Sequence, residues 1–298
     1  MKRLLKILAA AFIIFTIFLC TFFIIKATNV SPQTADVFNY LIGINKEAPI
    51  GADANNDGEV NILDIIILLK QEQDDTTDTS PSQSPSTMEL MSVGELQYYL
   101  YTPSSPTENM PLIIYLHGGT NKKADVTALL TTEGFPKYLY DGYYGDLRAY
   151  IAIPKLDNSY KGWADIYEQI RTLIKELNTT CCVDMKKIAL TGHSMGGTGT
   201  YQLQLKMPNT FACIAPLSGS VKNTEDNVEL LKKTKIWAFV GTEDTVVEPE
   251  STIEIIEALQ AVGADAALTK LEGATHFDVP ALAYKNPQLI QWLINCGN

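Results

Sequence analysis

Cations are scarce in this sequence. Its 298 residues carry 23 Lys and Arg against 34 Asp and Glu, a formal net charge of −11, with no basic cluster. Phosphate backbones are held by clustered Lys and Arg, so a nucleic-acid binder is excluded. Histidine is scarcer still: His117, His193 and His276 are the only imidazoles, which narrows any search for a general base. The five cysteines, Cys20, Cys181, Cys182, Cys213 and Cys296, have no metal-site spacing. Four of them lie beyond the apolar N-terminal run; if all pair, three connectivities are open, and a free buried Cys213 is the alternative. There is no internal repeat. What the chain does have is 46% hydrophobic and 9% aromatic residues, which excludes a wholly disordered or collagen-like protein.

Charge is also missing from residues 7–25, a run rich in Ile, Phe, Leu and Ala that follows Lys2, Arg3 and Lys6 and ends at Lys26. A hydrocarbon core of ~30 Å takes ~20 apolar residues as helix. The basic flank keeps the start cytoplasmic and sends the remainder outside. The expectation for residues 1–26 is a signal-anchor, membrane-embedded through 4–25, or a signal peptide that is cleaved to release a secreted protein; no small-x-small cut site follows. Leu19 before Cys20 argues against lipidation there.

From Asp53 the sequence reads DANNDGEVNILD. Asp53, Asn55, Asp57, Asn61 and Asp64 take positions 1, 3, 5, 9 and 12 of a calcium loop, Glu59 at position 7 offers its carbonyl, and Gly58 sits at the sharp turn. Oxygen ligands at this spacing surround a hard cation; an Asx-rich turn without metal is the alternative. Helix-like stretches at 35–44 and 62–70 flank the loop. The segment from about Thr34 to Gln71 resembles a type I dockerin repeat, which implies structural Ca2+ and a cohesin-type partner in extracellular polysaccharide-degrading complexes. Dockerins usually carry two such loops, and this sequence has one. Residues 71–87, QEQDDTTDTSPSQSPST, cannot bury a core and read as a Pro-stiffened tether. The expected boundaries are a calcium module at 34–71, a linker at 72–90 and a catalytic domain at 91–298.

Beyond residue 88, strand-length apolar runs alternate with amphipathic stretches, the pattern of a mostly parallel sheet with helices on both faces, an α/β fold. Strands are expected at 96–101, 112–116, 150–153, 188–191, 214–217, 236–240 and 267–271, and helices at 164–177, 197–206, 251–261 and 287–294. Gly192-His193-Ser194-Met195-Gly196 matches G-x-S-x-G between a strand-like and a helix-like run, as a nucleophile elbow requires. Ser194 is therefore the candidate nucleophile. A serine hydroxyl needs a base. His193 adjoins Ser194 and should point away from its hydroxyl, and His117 follows the 112–116 strand, which leaves His276. The orienting acid is Asp244, after the strand at 236–240, with Glu243 and Asp278 as alternatives. The order Ser, Asp, His is that of α/β-hydrolases. The oxyanion calls for amide donors, here Met195 after the nucleophile and Gly119 in the loop after 112–116. Trp163, Tyr143 and Tyr144 are pocket candidates, with core packing the simpler reading.

The segments LHGG, GHSMGGTGTY, PLSG, WAFVGTEDTVV and GATHF resemble the α/β-hydrolase superfamily across roughly 95–296. More narrowly, they are similar to the secreted group that contains feruloyl and acetyl-xylan esterases, polyhydroxybutyrate-depolymerase-like proteins and peptidases related to phospholipase/carboxylesterases. The resemblance implies ester hydrolysis through an acyl-enzyme, with no cofactor for the chemistry. No lid-sized insertion follows Ser194, which favours small or carbohydrate-linked esters, with a role in plant-polysaccharide breakdown implied by the dockerin-like segment. A peptidase or amidase on the same triad, and a non-catalytic surface scaffold, are the competing functions.

Overall fold

The central apolar runs serve two faces at once. In β3 (Leu112–Leu116), Leu112, Ile114 and Leu116 join one buried cluster while Ile113 and Tyr115 join a second on the opposite side. Successive side chains of a strand point to opposite faces, so a strand apolar at every position has to be covered twice. The computed structural model describes residues 86–295 and isolated positions before them (40, 41, 43, 48, 52, 53, 60 and 61). The chain divides into Met1–Ser82 and Gln83–Asn298, and the fold described here belongs to the second unit.

Its eight-stranded sheet runs β1-β2-β4-β3-β5-β6-β7-β8. Here β1 is Thr87–Val93, β2 Leu96–Thr102, β4 Tyr150–Pro154, β5 Ile188–His193, β6 Cys213–Leu217, β7 Lys235–Gly241 and β8 Ala266–Leu271. The β1–β2 and β2–β4 pairs are antiparallel, and every other pair is parallel. Helices α2 (Tyr167–Cys181), α3 (Met195–Lys206), α4 (Glu225–Leu231) and α5 (Glu250–Ala261) cover the Leu112 face. Helices α1 (Phe135–Tyr140), α6 (Val279–Tyr284) and α7 (Pro287–Asn295) cover the Ile113 face. This is the expected α/β architecture, with every strand and helix expected beyond residue 88 near its place.

One strand and three short α-helices go beyond the sequence expectation, besides the 3-10 turns Gly119–Lys122 and Val126–Leu130. β1 pairs with β2 along its whole length at the sheet edge, but leaves Leu90 and Met91 exposed, so TMELMSV carries no apolar run to announce it. Residues 87–90, at the end of the expected 72–90 linker, are thus part of the β1 strand. Helices α1, α4 and α6 have six or seven residues, under two turns, too short for a 3.6-residue period to register.

The strand order decides where a site can form. β3 lies between β4 and β5, so the chain leaves β3 to one side and returns on the other. Loops at the carboxyl ends of β3 and β5 then diverge and leave a crevice. Leu116 at the end of β3 pairs with Gly192, two residues before Ser194. The ends of β7 and β8 bring Asp244 and His276 to the same side.

Among the described residues no helix is long and apolar enough to cross a membrane. The apolar run at 7–25, and Asn55, Asp57, Glu59 and Asp64 of the calcium loop, lie outside the described residues.

Candidate active site

Ser194 sits between β5 and α3 with φ 60° and ψ −119°, a conformation that L-residues adopt only when the surroundings impose it. The turn lifts the side chain above the sheet at a helix N-terminus. It also drives α3 into the end of β3: a Cβ on Gly196 would stand 1.9 Å from the Leu116 carbonyl oxygen, so glycine is required there. The Ser194 N–H donates to the Leu217 carbonyl at 2.9 Å, tying the elbow to β6.

The Ser194 hydroxyl meets His276 Nε2 at 2.9 Å, and His276 Nδ1 meets Asp244 Oδ2 at 2.8 Å. His276 is 3% and Asp244 5% exposed. The other Asp244 oxygen accepts the Val246 and Val247 amides at 2.9 Å each. Burial pushes the Asp244 pKa up, but the Val247 amide, His276, Ser218 and the Val246 amide together outweigh it and hold the carboxyl below its usual range. An ionised Asp244 accepts from Nδ1, which leaves Nε2 free to take the serine proton. The alternatives for the acid lie elsewhere: Glu243 points to solvent, and Asp278 closes its own turn by accepting the Thr275 amide at 2.9 Å.

Both remaining histidines are structural members of the same rim. The Leu156 N–H donates to His117 Nε2 at 3.0 Å, so the ring proton is on Nδ1, which donates to the Gly118 carbonyl at 2.7 Å. The C=O and N–H of one trans peptide point in opposite directions. Holding the Gly118 carbonyl therefore turns the Gly119 amide away from His117, and Gly119 lines the cleft that contains Ser194. Met195 is the first residue of α3, and its N–H has no acceptor within the helix. His193 turns from the serine hydroxyl, as expected of it, and Nε2 donates to the His276 carbonyl at 2.9 Å.

The cleft, about 160 Å³, is walled by Tyr115, Thr120, Asn121, Glu133 and Phe277 around Ser194 and His276. Four larger surface hollows, of 230, 460, 480 and 630 Å³, contain no hydroxyl–imidazole pair. Phe277 is 72% exposed at the rim. The three aromatics singled out from sequence do not line this cleft. Trp163 is fully buried against Gly199 and donates to the His117 carbonyl at 3.1 Å, Tyr144 donates to the Tyr284 carbonyl, and Tyr143 is exposed.

Sequence reasoning missed the cleft wall formed by residues 120–133 and the part played by Ser218. Ser218 is buried with φ 42°; its hydroxyl lacks a hydrogen bond of ordinary geometry, yet contributes to lowering the Asp244 pKa. A strained serine in PLSG, one residue past a strand, was the available signal. Cys213 is disulfide-bonded, whereas Cys181 and Cys182 are free, so a free Cys213 is corrected. Among the described residues no cluster of His, Cys, Asp and Glu is arranged to hold a metal.

Against known proteins, the dienelactone hydrolase family matches residues 96–282. A bifunctional acetylxylan esterase/xylanase, XynS20E of Neocallimastix patriciarum, is 26% identical over 160 residues, 50% of this chain and 21% of that protein. A thermostable esterase superposes with a TM-score of 0.60 at 22% identity, covering 70% of this chain and 62% of that one. The feruloyl esterase module from Clostridium thermocellum, complexed with sinapinate, gives a TM-score of 0.53 at 13% identity, covering 74% and 89%. The chain spans less than two thirds of the first two, and the structural likenesses establish the fold.

The burial of His117 and the partial burial of His193 make stability depend on pH. Burial lowers the pKa of His117 and of His193 to about 4, the nearby His276 adding to the effect at His193. The unfolded values are near 6.5. Between about pH 6.5 and 4 the unfolded chain binds more protons, so stability falls as pH falls, by up to about 1.4 kcal/mol per pH unit for each ring. The depressed Asp244 adds its loss at lower pH still. Urea unfolding at pH 7.0, 5.5 and 4.5 is expected to show this decline, and a flat profile contradicts it.

Proposed function

This chain belongs to the dienelactone hydrolase family, its α/β domain is a hydrolase acting on carboxylic esters, and on that premise we propose a serine carboxylesterase that works through Ser194, His276 and Asp244. The observation that carries this reading is the unbroken relay from the Ser194 hydroxyl through both nitrogens of His276 to a buried Asp244. His276 Nε2 takes the hydroxyl proton as Oγ attacks the ester carbonyl. The Met195 and Gly119 amides receive the developing oxyanion, at about 3 kcal/mol for a single donor. Collapse expels the alcohol, whose oxygen takes the proton from His276. Water, deprotonated by the same nitrogen, then releases the acid and restores Ser194.

The size of the cleft bears on the substrate. At about 160 Å³ it is below the roughly 300–1,000 Å³ that encloses drug-sized ligands, which supports a short acyl group entering and a larger alcohol portion outside, near the exposed Phe277. A carbohydrate is such an alcohol. The similarity to an acetylxylan esterase and the dockerin-like segment support a role in plant-polysaccharide breakdown. The Cys213 disulfide supports export, because disulfides persist in oxidising compartments; residues 1–26 supply the anchor or signal. Residues 34–71 form the calcium module, a docking element for a cohesin-type partner.

Hydrolysis of p-nitrophenyl acetate is expected to drop at least about 10³-fold in Ser194→Ala and, in the parent, to decline steadily from acetyl to octanoyl esters. Undiminished turnover in the variant overturns the serine assignment; faster turnover of octanoyl esters overturns the short-acyl reading; preference for matched peptide amides favours the amidase; and absence of both turnover and fluorophosphonate labelling favours the scaffold. For the module, Ca2+ added to the metal-stripped full chain is expected to slow amide hydrogen exchange within residues 53–64. Unchanged exchange contradicts calcium binding.

A further inference from the structure

His193 fills the variable position of the elbow, yet it is half-buried and its polar contact crosses to another loop. Nε2 donates to the main-chain carbonyl of His276 at 2.9 Å, and the two imidazole centroids are 4.6 Å apart. The residue before the nucleophile is therefore bonded to the backbone of the residue that carries the base. The β8–α6 loop is otherwise steadied from the β7 side, where the Glu243 N–H donates to the Ala274 carbonyl at 3.0 Å, and by its own Thr275–Asp278 turn. The His193 bond joins it directly to β5, the strand whose last residue precedes Ser194.

We infer that His193 is a positioning residue: by clamping the His276 carbonyl it fixes the separation between His276 Nε2 and Ser194 Oγ. The inference rests on the triad reading above. Asp244 grips the ring at Nδ1 only, so the ring can pivot about that bond and Nε2 is the end that swings. A second anchor on the backbone removes the pivot. The anchor also has to remain uncharged, because a cation this close would oppose the imidazolium formed during proton transfer. Burial, with the neighbouring His276 adding to it, keeps the His193 pKa down at about 4, so the ring is neutral where the esterase would work.

The test uses His193→Leu, which keeps bulk and removes the donor, and His193→Gln, whose amide N–H reaches about as far as imidazole Nε2. In the full chain, His193→Leu is expected to lower kcat for p-nitrophenyl acetate about 10- to 100-fold, the scale on which displacements near 1 Å act. KM should stay within about twofold, the rate of fluorophosphonate labelling should fall in parallel, and the thermal midpoint should stay near that of the parent. His193→Gln should recover most of the lost kcat. Equal kcat in the Leu and Gln variants, or losses that track unfolding, overturn the inference. If the Leu variant fails to fold, His193→Asn replaces it: its shorter amide falls short of the carbonyl, so it should be slow where Gln is active, and equal rates overturn the inference. Ser194→Ala measured alongside separates the two readings, since only failure of the triad leaves that variant active.

Discussion

An imidazole bonded at both nitrogens makes demands on the whole domain. His276 lies 82 residues from Ser194 and 32 from Asp244, and each contact is under 3 Å. Such tolerances are met because three loops leave neighbouring parallel strands at the same edge. β5 supplies Ser194, β7 supplies Asp244 and β8 supplies the loop of His276. The β5–β6 and β6–β7 ladders are built largely from buried residues, while β8 at the sheet edge is only partly buried, so apolar packing around β5, β6 and β7 positions the polar atoms above them.

The same tolerance explains where the backbone departs from comfortable geometry. Ser194 and Ser218 have positive φ, and both lie at strand ends on the rim. The close approach of α3 to β3, possible because Gly196 lacks a Cβ, holds the elbow against the Gly118–Gly119 loop. His117 and His193 act on main-chain carbonyls, one beside the oxyanion amides and one beside the base. All three histidines of the chain thus converge on one edge, each with a different bonding pattern.

The sequence was most legible where periodicity was strong. The central strands read as apolar runs because parallel strands are buried on both sides, and the elbow read as Gly-x-Ser-x-Gly because its turn tolerates little else. Selecting His276 took only a count of imidazoles and the adjacency of His193 to Ser194. Less was legible where information is non-local. β1 exists by pairing with β2 rather than by its own pattern. The short helices α1 and α6 take their place from burial of Phe135, Val279 and Tyr284 against the sheet, with only Pro136 and Pro280 near their starts as local signals. The second functions of His117 and His193 depend on carbonyls that a sequence does not display. Trp163 was a pocket candidate with core packing the simpler reading, and its burial against Gly199 places it in the core.

The central claim is that one hydroxyl, and no other nucleophile of the chain, becomes bonded to the substrate's acyl carbon. Trapping tests it directly: the full chain is quenched in acid during turnover of a slowly deacylated ester, weighed intact by mass spectrometry and digested to locate the added mass. The account predicts one acyl group per chain, on the peptide containing Ser194. An adduct on a different residue, or none while turnover continues, would contradict it.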